Sequence, residues 1–275
     1  MRLALTVALV MVAFAANSIL NRLALESTGI GPASFAAIRL LAGALLLGGL
    51  VALRHPISSL RPSSTALKGA AMLGLYVLGF SFAYVSLASG TGALILFGGV
   101  QITMFLGAAL TRETLPALRI LGALVAFGGL VWLMAPGTEQ PDPIGAVLMI
   151  AAAIGWGIFS LMGRTAGAPF QVMAASFLWC VPLGIAMWLL RPDGVDSAGA
   201  GLAILSGAVT SGLGYALWYQ VLPKMPATRA AVAQLTVPII AALGGLLFLA
   251  EPLTLRFVFA SLLVLGGVGI ALRTK

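Results

Sequence analysis

Charge is what this sequence has least of. Only 8% of its 275 residues are charged and 7 are acidic, while 61% are hydrophobic and the mean hydropathy is +1.11. A soluble domain carries about 25% charged residues, so this chain lacks the polar surface to cover a water-soluble globule. A single cysteine, Cys180, excludes an internal disulfide. One histidine, His55, in a loop between apolar runs, and no Asp or Glu deep within any run leave no proton relay and no metal-ligand cluster. No intramembrane serine has a plausible base, which excludes a membrane-embedded enzyme, and no cofactor is expected. The pI near 10.6 comes from basic residues scattered singly between apolar runs. It marks membrane topology rather than nucleic-acid binding.

Apolar runs and glycine are abundant. A spanning helix needs about 20 apolar residues, and the sequence holds ten such runs: roughly 3–22, 32–53, 66–88, 91–110, 116–134, 143–163, 169–190, 199–221, 227–248 and 253–272. Arg2 and Ala13-Phe14-Ala15 resemble a cleavable signal, but Phe14-Ala15 to Arg22 aligns with Trp156-Gly157 to Arg164 inside the chain. The first run is therefore expected to stay as a helix. The 34 glycines suit close helix packing in lipid.

The chain also repeats itself. Offset by 138 residues, Gly69-Ala70 falls on Gly207-Ala208, Gly74-Leu75 on Gly212-Leu213, Ala93 on Ala231, Gly107 on Gly245 and Glu113 on Glu251. Leu115, Leu124 and Gly128-Gly129 then meet Leu253, Leu262 and Gly266-Gly267. Two units are expected, 1–138 and 139–275, each of five helices. With the N-terminus in the cytoplasm, eleven Lys and Arg lie on that side and three, Arg22, Arg191 and Arg256, on the other. This bias places both termini in the cytoplasm. An odd number of helices per unit then inverts the second unit relative to the first, an architecture that puts the substrate near the midplane.

The early Phe14-Ala15 and Trp156-Gly157 pairs, Pro32 followed by Ala36-Ala37-Ile38-Arg39-Leu40, and Pro238 leading to Glu251-Pro252 resemble the EamA family of the drug/metabolite transporter superfamily. The resemblance covers essentially the whole chain, and its aromatic-rich middle is most similar to the YddG-type exporters of aromatic amino acids. It implies an all-α integral membrane protein with ten transmembrane helices as two inverted repeats around a central cavity. Helices 1, 3, 4, 6, 8 and 9 would line the cavity, with the fifth and tenth peripheral. It also implies a bacterial-type inner membrane, with the bilayer, a small-molecule substrate and no nucleic acid as partners, and a monomer. Val100 stands in the first repeat where Pro238 stands in the second, so a helix break there would be one-sided.

The residues agree with such a cavity. Tyr76, Phe80 and Tyr84 recur at four-residue spacing and share a helix face, and Tyr215 and Tyr219 repeat the pattern beside Trp218. Rings of this kind either pack helices and form interfacial belts or line a site. Asn17, Asn21, Gln101, Gln234 and Thr236 lie inside apolar runs, where an amide facing lipid loses its hydrogen bonds. They are expected to face the cavity or, as for Asn21, to bond between helices. Trp156 and Ser160 share one face of the sixth helix and complete the candidate site. Arg39 is the basic residue well inside a run, expected to snorkel or to bond backbone carbonyls, with a substrate carboxylate as the alternative. Glu113 and Glu251 are expected to cap helices or to pair with Arg112 and Arg256. Gly74, Gly99, Gly212, Gly245 and Pro238 are the expected packing and gating positions.

Rings, amides and hydroxyls with little fixed charge suit an amphipathic, net-neutral solute such as an aromatic or neutral amino acid. Its carboxylate would meet a broken-helix N-terminus, and its ammonium carbonyls or ring faces. Sugar phosphates would need clustered cations, for which Lys224 and Arg229 are the candidates, both at the cytoplasmic edge. Uncoupled alternating-access export is the expectation. Multidrug or other metabolite efflux, and a channel or scramblase, are the alternatives.

Overall fold

The computed structural model describes residues 2–110, 116–137, 140–221, 224, 233–234 and 236–271. Glu113, Arg112, Ala231, Arg229 and Leu115 lie outside them, as does the side chain of Arg164. All regular structure in the described residues is helical: α1 (Arg2–Ser27), α2 (Pro32–Ala52), α3 (Ser64–Ala83), α4 (Ser89–Leu110), α5 (Ala117–Met134), α6 (Pro143–Thr165), α7 (Pro169–Leu190), α8 (Ser197–Val221), α9 (Val237–Leu249) and α10 (Leu255–Ala271). Seven helices are long and apolar enough to cross a membrane; Ile120–Met134, α9 and α10 are shorter apolar stretches.

Local chemistry sets the helix starts. Asp142 accepts from the Gly145 N–H at 2.6 Å ahead of Pro143, Ser63 from Ala66 at 3.1 Å, and Asp196 from Gly199 at 3.0 Å. Each satisfies an N–H that has no partner within its helix. Two helices are capped from across the bundle. Asp193, between α7 and α8, takes the N–H groups of Ala33 and Ser34 at 2.8 and 3.0 Å, and Glu251, after α9, takes the Ser89 N–H at the start of α4. These contacts gather the α1–α2, α3–α4, α7–α8 and α9–α10 connections at one end of the bundle, here the acidic end. At the opposite, basic end the Trp179 indole donates to the Leu60 carbonyl at 3.1 Å.

Three helices depart from the apolar runs: α1 continues to Ser27, past the end of the run 3–22. α3 stops at Ala83 rather than near 88, and α9 begins at Val237 with Pro238 in its first turn, well inside the run 227–248. α8 is wound as a π-helix from Leu205 to Leu213.

The packing has a regular pattern. α3 lies against α6 and α7, while α8 lies against α1 and α2; α4 lies against α6, while α9 lies against α1. α2 meets α7, α4 meets α9 and α5 meets α10. Exchanging each helix for the one five further on returns these pairings among themselves. The α5–α10 crossing is a backbone contact: a Cβ on Gly122 would strike the Gly267 carbonyl, and one on Gly267 the Gly122 carbonyl. Apart from each other, these two helices pack chiefly on α4.

Candidate functional site

The bundle centre is a cluster of rings built around Phe14 of α1. Phe14 stands edge-on to Tyr215, Trp218 and Trp156 at 5.5, 5.8 and 6.2 Å and stacks on Phe97 at 6.4 Å. Trp156 lies 4.7 Å from Tyr215 and 5.0 Å from Tyr76, centroid to centroid. Phe14, Asn17, Tyr76, Phe80, Leu96, Phe97, Trp156 and Tyr215 enclose a cavity of about 10 Å³. A site for a small molecule measures about 300–1,000 Å³. In this conformation the centre is closed, and a solute enters only when the rings part.

The polar groups beside the cavity form one connected network. Asn17 Oδ1 accepts the hydroxyls of Ser206 at 2.9 Å, Ser211 at 3.2 Å and Thr210. On an α-helix residues five apart point roughly 140° apart; the i→i+5 winding of this segment realigns Ser206 with Ser211, which brings all three hydroxyls to Asn17. Ser211 in turn accepts from Arg39 Nε at 3.2 Å.

Arg39 is the buried charge of the site, 1% exposed. Its Nη2 donates to the Tyr76 hydroxyl at 3.0 Å and to that of Tyr215 at 3.5 Å, and the two hydroxyls lie 3.1 Å apart. Its guanidinium carbon sits 4.9 Å from the Phe80 centroid and 5.4 Å from that of Tyr76. Its Nη1 has no hydrogen-bond partner. Among the described residues no carboxylate lies within 4 Å of it. Arg39 therefore neither snorkels nor bonds backbone carbonyls, as its sequence context had implied. α8 blocks the way out: the Gly207 backbone presses so closely on Arg39 that a Cβ there would strike the Arg39 carbonyl. Desolvating an ion costs several kcal/mol, which hydrogen bonds to a charged group at about 1.5–3 kcal/mol each and cation–π contacts at about 0.5–2 kcal/mol offset.

Of the other candidate residues, Gln101 is buried one turn beyond Phe97, with Nε2 unpartnered, and Gln234 is buried ahead of α9. Ser160 donates to the Trp156 carbonyl at 2.7 Å. Tyr84 and Tyr219 lie away from the cavity. Tyr84 stands edge-on to Phe80 and donates to the Ser89 carbonyl at 3.2 Å, while Tyr219 packs its hydroxyl onto Gly163 of α6. Asn21 bonds between helices, to Ser81 at 3.1 Å. Gly74 faces Leu183 and Cys180, Gly99 faces Ala153, Gly212 faces Leu46, and Pro238 is buried at the start of α9. Sequence reasoning left Phe14, Leu96, Phe97 and the serine and threonine hydroxyls of α8 out of the site. Ser206 and Thr210 stand four apart and share a face in any α-helix, whereas Ser211 joins them only through the π winding, which the sequence does not signal.

At the acidic end Glu251 joins several elements. It accepts from the Ser89 N–H at 2.9 Å and the Ser89 hydroxyl at 2.6 Å, and it pairs with Arg22 of α1 at 3.4 Å. Arg22 also donates to the Tyr84 and Val85 carbonyls at the end of α3. Of the two roles expected for Glu251 it takes the helix cap, on α4; Arg256, the alternative partner, reaches back to the carbonyls of Ala135 and Pro136 past α5. Ala250 takes the left-handed conformation, φ 53°, and so turns Glu251 back over Gly245. A Cβ on Gly245 would strike the Glu251 carboxylate and the Ser89 hydroxyl. A vestibule of about 230 Å³, lined by Ser86, Asp142, Glu251 and Phe257 among others, opens on this end.

The model of the EamA-like transporter family matches residues 143–273. An uncharacterized protein of Pseudomonas aeruginosa, PA1977, is 46% identical over 100% of this chain and 96% of its own length. An uncharacterized transporter of Archaeoglobus fulgidus is 27% identical over 74% of this chain and 75% of that one. The uncharacterized inner membrane transporter YedA of Escherichia coli is 28% identical over 53% of this chain and 48% of its own. A protein of known crystal structure shares the fold, with a TM-score of 0.72 at 18% identity over 96% of this chain and 95% of that one.

Proposed function

We propose that the chain, whose residues 143–273 match the model of the EamA-like transporter family, is a member of that family throughout and exports small amphipathic metabolites, aromatic and other neutral amino acids first among them, by alternating access. The observation that carries this reading is the buried cluster of rings, amide and hydroxyls where α1, α3, α4, α6 and α8 meet. Such a surface suits a solute with an apolar body and polar ends. The YddG-type resemblance points the same way.

Ten spans in two inverted repeats are part of the proposal, supported by helix pairings that are unchanged under a shift of five. The excess of basic residues in the opposite loops supports cytoplasmic termini and an acidic end facing outward. The closed central cavity, with Arg22 and Glu251 tying α1 to the α9–α10 connection, supports a carrier that opens one side at a time rather than a pore. The described acids lie at helix ends or in connections, which supports transport without proton coupling.

Liposomes containing the purified protein test this reading with labelled phenylalanine, threonine and a cationic dye, with and without a pH gradient. Saturable amino-acid uptake indifferent to the gradient is the expected result. Gradient-driven dye uptake without amino-acid flux would replace the function with multidrug efflux, and linear, unsaturated flux would replace the carrier with a pore.

A further inference from the structure

We propose that Arg39 is the anchor for the solute's carboxylate, so that the carrier selects a small aromatic monocarboxylate and treats the amino group of an amino acid as dispensable. This inference rests on the reading of the central cluster as the transport site.

Arg39 is buried with one terminal nitrogen, Nη1, unpartnered and the other held by the hydroxyls of Tyr76 and Tyr215, which both line the cavity. A guanidinium placed for structure alone meets an acid or the carbonyls at a helix end. Here its hydrogen-bond acceptors are all hydroxyls, and a hydroxyl accepts or donates as the moment requires. When a carboxylate approaches, Tyr76 and Tyr215 turn from accepting the guanidinium proton to donating to the anion. The freed Nη1–Nη2 edge then offers the parallel pair of N–H groups that a carboxylate takes bidentately. The exchange needs no side chain beyond those already at the cavity, and it gives the buried charge its missing counter-ion.

An ammonium is served less well: among the described residues the unpartnered amide oxygen near the site, Asn21 Oδ1, lies one turn past Asn17 and off the cavity lining. Asn17 Oδ1 already takes three hydroxyls, and no acid among the described residues lies within 4 Å of Arg39. Ring faces remain, but Tyr76 and Phe80 already lie against the guanidinium. A cationic solute would meet a like charge in a closed, apolar surround. The acid group is thus what the site reads, and the aromatic body fills the space that opens among Phe14, Trp156 and Tyr215.

The test compares three probes of one shape on the full-length protein: phenylalanine, 3-phenylpropionate, which lacks the amine, and phenethylamine, which lacks the acid. Phenylpropionate should compete with labelled phenylalanine uptake within about tenfold of unlabelled phenylalanine, and phenethylamine should not compete at about hundredfold excess, in line with rejection of ligands that leave a buried polar group unpaired. Arg39→Gln should weaken phenylalanine binding about 30-fold or more, and Arg39→Lys should recover part of it. Because a glutamine variant that fails to fold also loses uptake, thermal unfolding of the wild-type protein in detergent gives a second measurement: both acids should raise the unfolding temperature and the amine should not. Competition by phenethylamine equal to that of phenylalanine, or a folded Arg39→Gln variant with unchanged affinity, overturns the anchor while leaving amino-acid export standing. Dye transport with neither uptake nor stabilisation by any of the three overturns both.

Discussion

Neutralising Glu251 should release the acidic end. Glu251 receives the Ser89 N–H and hydroxyl at 2.9 and 2.6 Å and faces Arg22 at 3.4 Å, with side-chain exposures of 11% and 18% for the two ions. Bonds to a charged acceptor contribute about 1.5–3 kcal/mol each, and a negative charge at a helix N-terminus about 0.3–1 kcal/mol more. The partial exposure of both ions holds the ion-pair share to about 1 kcal/mol or less. Glu251→Gln keeps an oxygen for Ser89 and loses the charge, a change of about 2 kcal/mol in favour of opening. At about 1.4 kcal/mol per tenfold, that is roughly a 30-fold shift in the closed–open balance. The assay is the labelling rate of Leu96→Cys, which lines the central cavity, by a membrane-impermeant maleimide applied from the acidic end, with Cys180→Ala removing the native thiol. Labelling should quicken about 10- to 30-fold. Unchanged labelling in a correctly folded Glu251→Gln protein would refute the assignment of Glu251 as a closure, and with it the role given to Arg22.

Gly245→Ala should act as a milder copy of the same change, since its Cβ would strike the Glu251 carboxylate and the Ser89 hydroxyl; the same labelling assay reads it, and a rate equal to wild type counts against the arrangement. Gly74→Leu and Gly212→Leu place bulk against Leu183 and Leu46 in the α3–α7 and α2–α8 contacts, and overpacking costs about 1–3 kcal/mol. Both variants should insert normally and transport slowly, and normal uptake by both would end the idea that these seams slide.

The helices were legible in the sequence because length and apolarity alone mark a span: seven of the ten runs became helices long and apolar enough to cross a membrane, and the other three hold shorter apolar helices among the described residues. The ends of α3 and α9 were less so. Residues 84–88 are apolar enough to extend a helix, yet the Tyr84 and Val85 carbonyls are taken up by Arg22, a contact 62 residues distant. The ring stripe on α3 was read as one face, and Tyr76 and Phe80 do reach the cavity; Tyr84 is carried beyond it because the helix runs past the site toward the acidic end. Arg39 was visible as an anomaly but its surroundings were not, since its partners come from α3 and α8 and one of them depends on the π winding. Glu251 was recognised as a helix-end residue, but α4 and Arg22 are distant in sequence, and only the left-handed turn at Ala250 directs it to them.

The pairings that survive a shift of five include three in which a helix meets its own counterpart: α2 with α7, α4 with α9 and α5 with α10. Contacts of that type are isologous, as at the two-fold axis of a homodimer. On the proposed reading as two inverted repeats, the seam where Gly122 and Gly267 bring backbones together is what a dimer interface between two half-length chains would become. On the same reading a covalent link lets the two halves differ where they face the site: a guanidinium occupies α2 beside the cavity, while α7 offers the ring of Phe177 to Tyr215 at 6.1 Å. A fused carrier can thus hold an asymmetric solute in one orientation, which a strictly two-fold dimer cannot do.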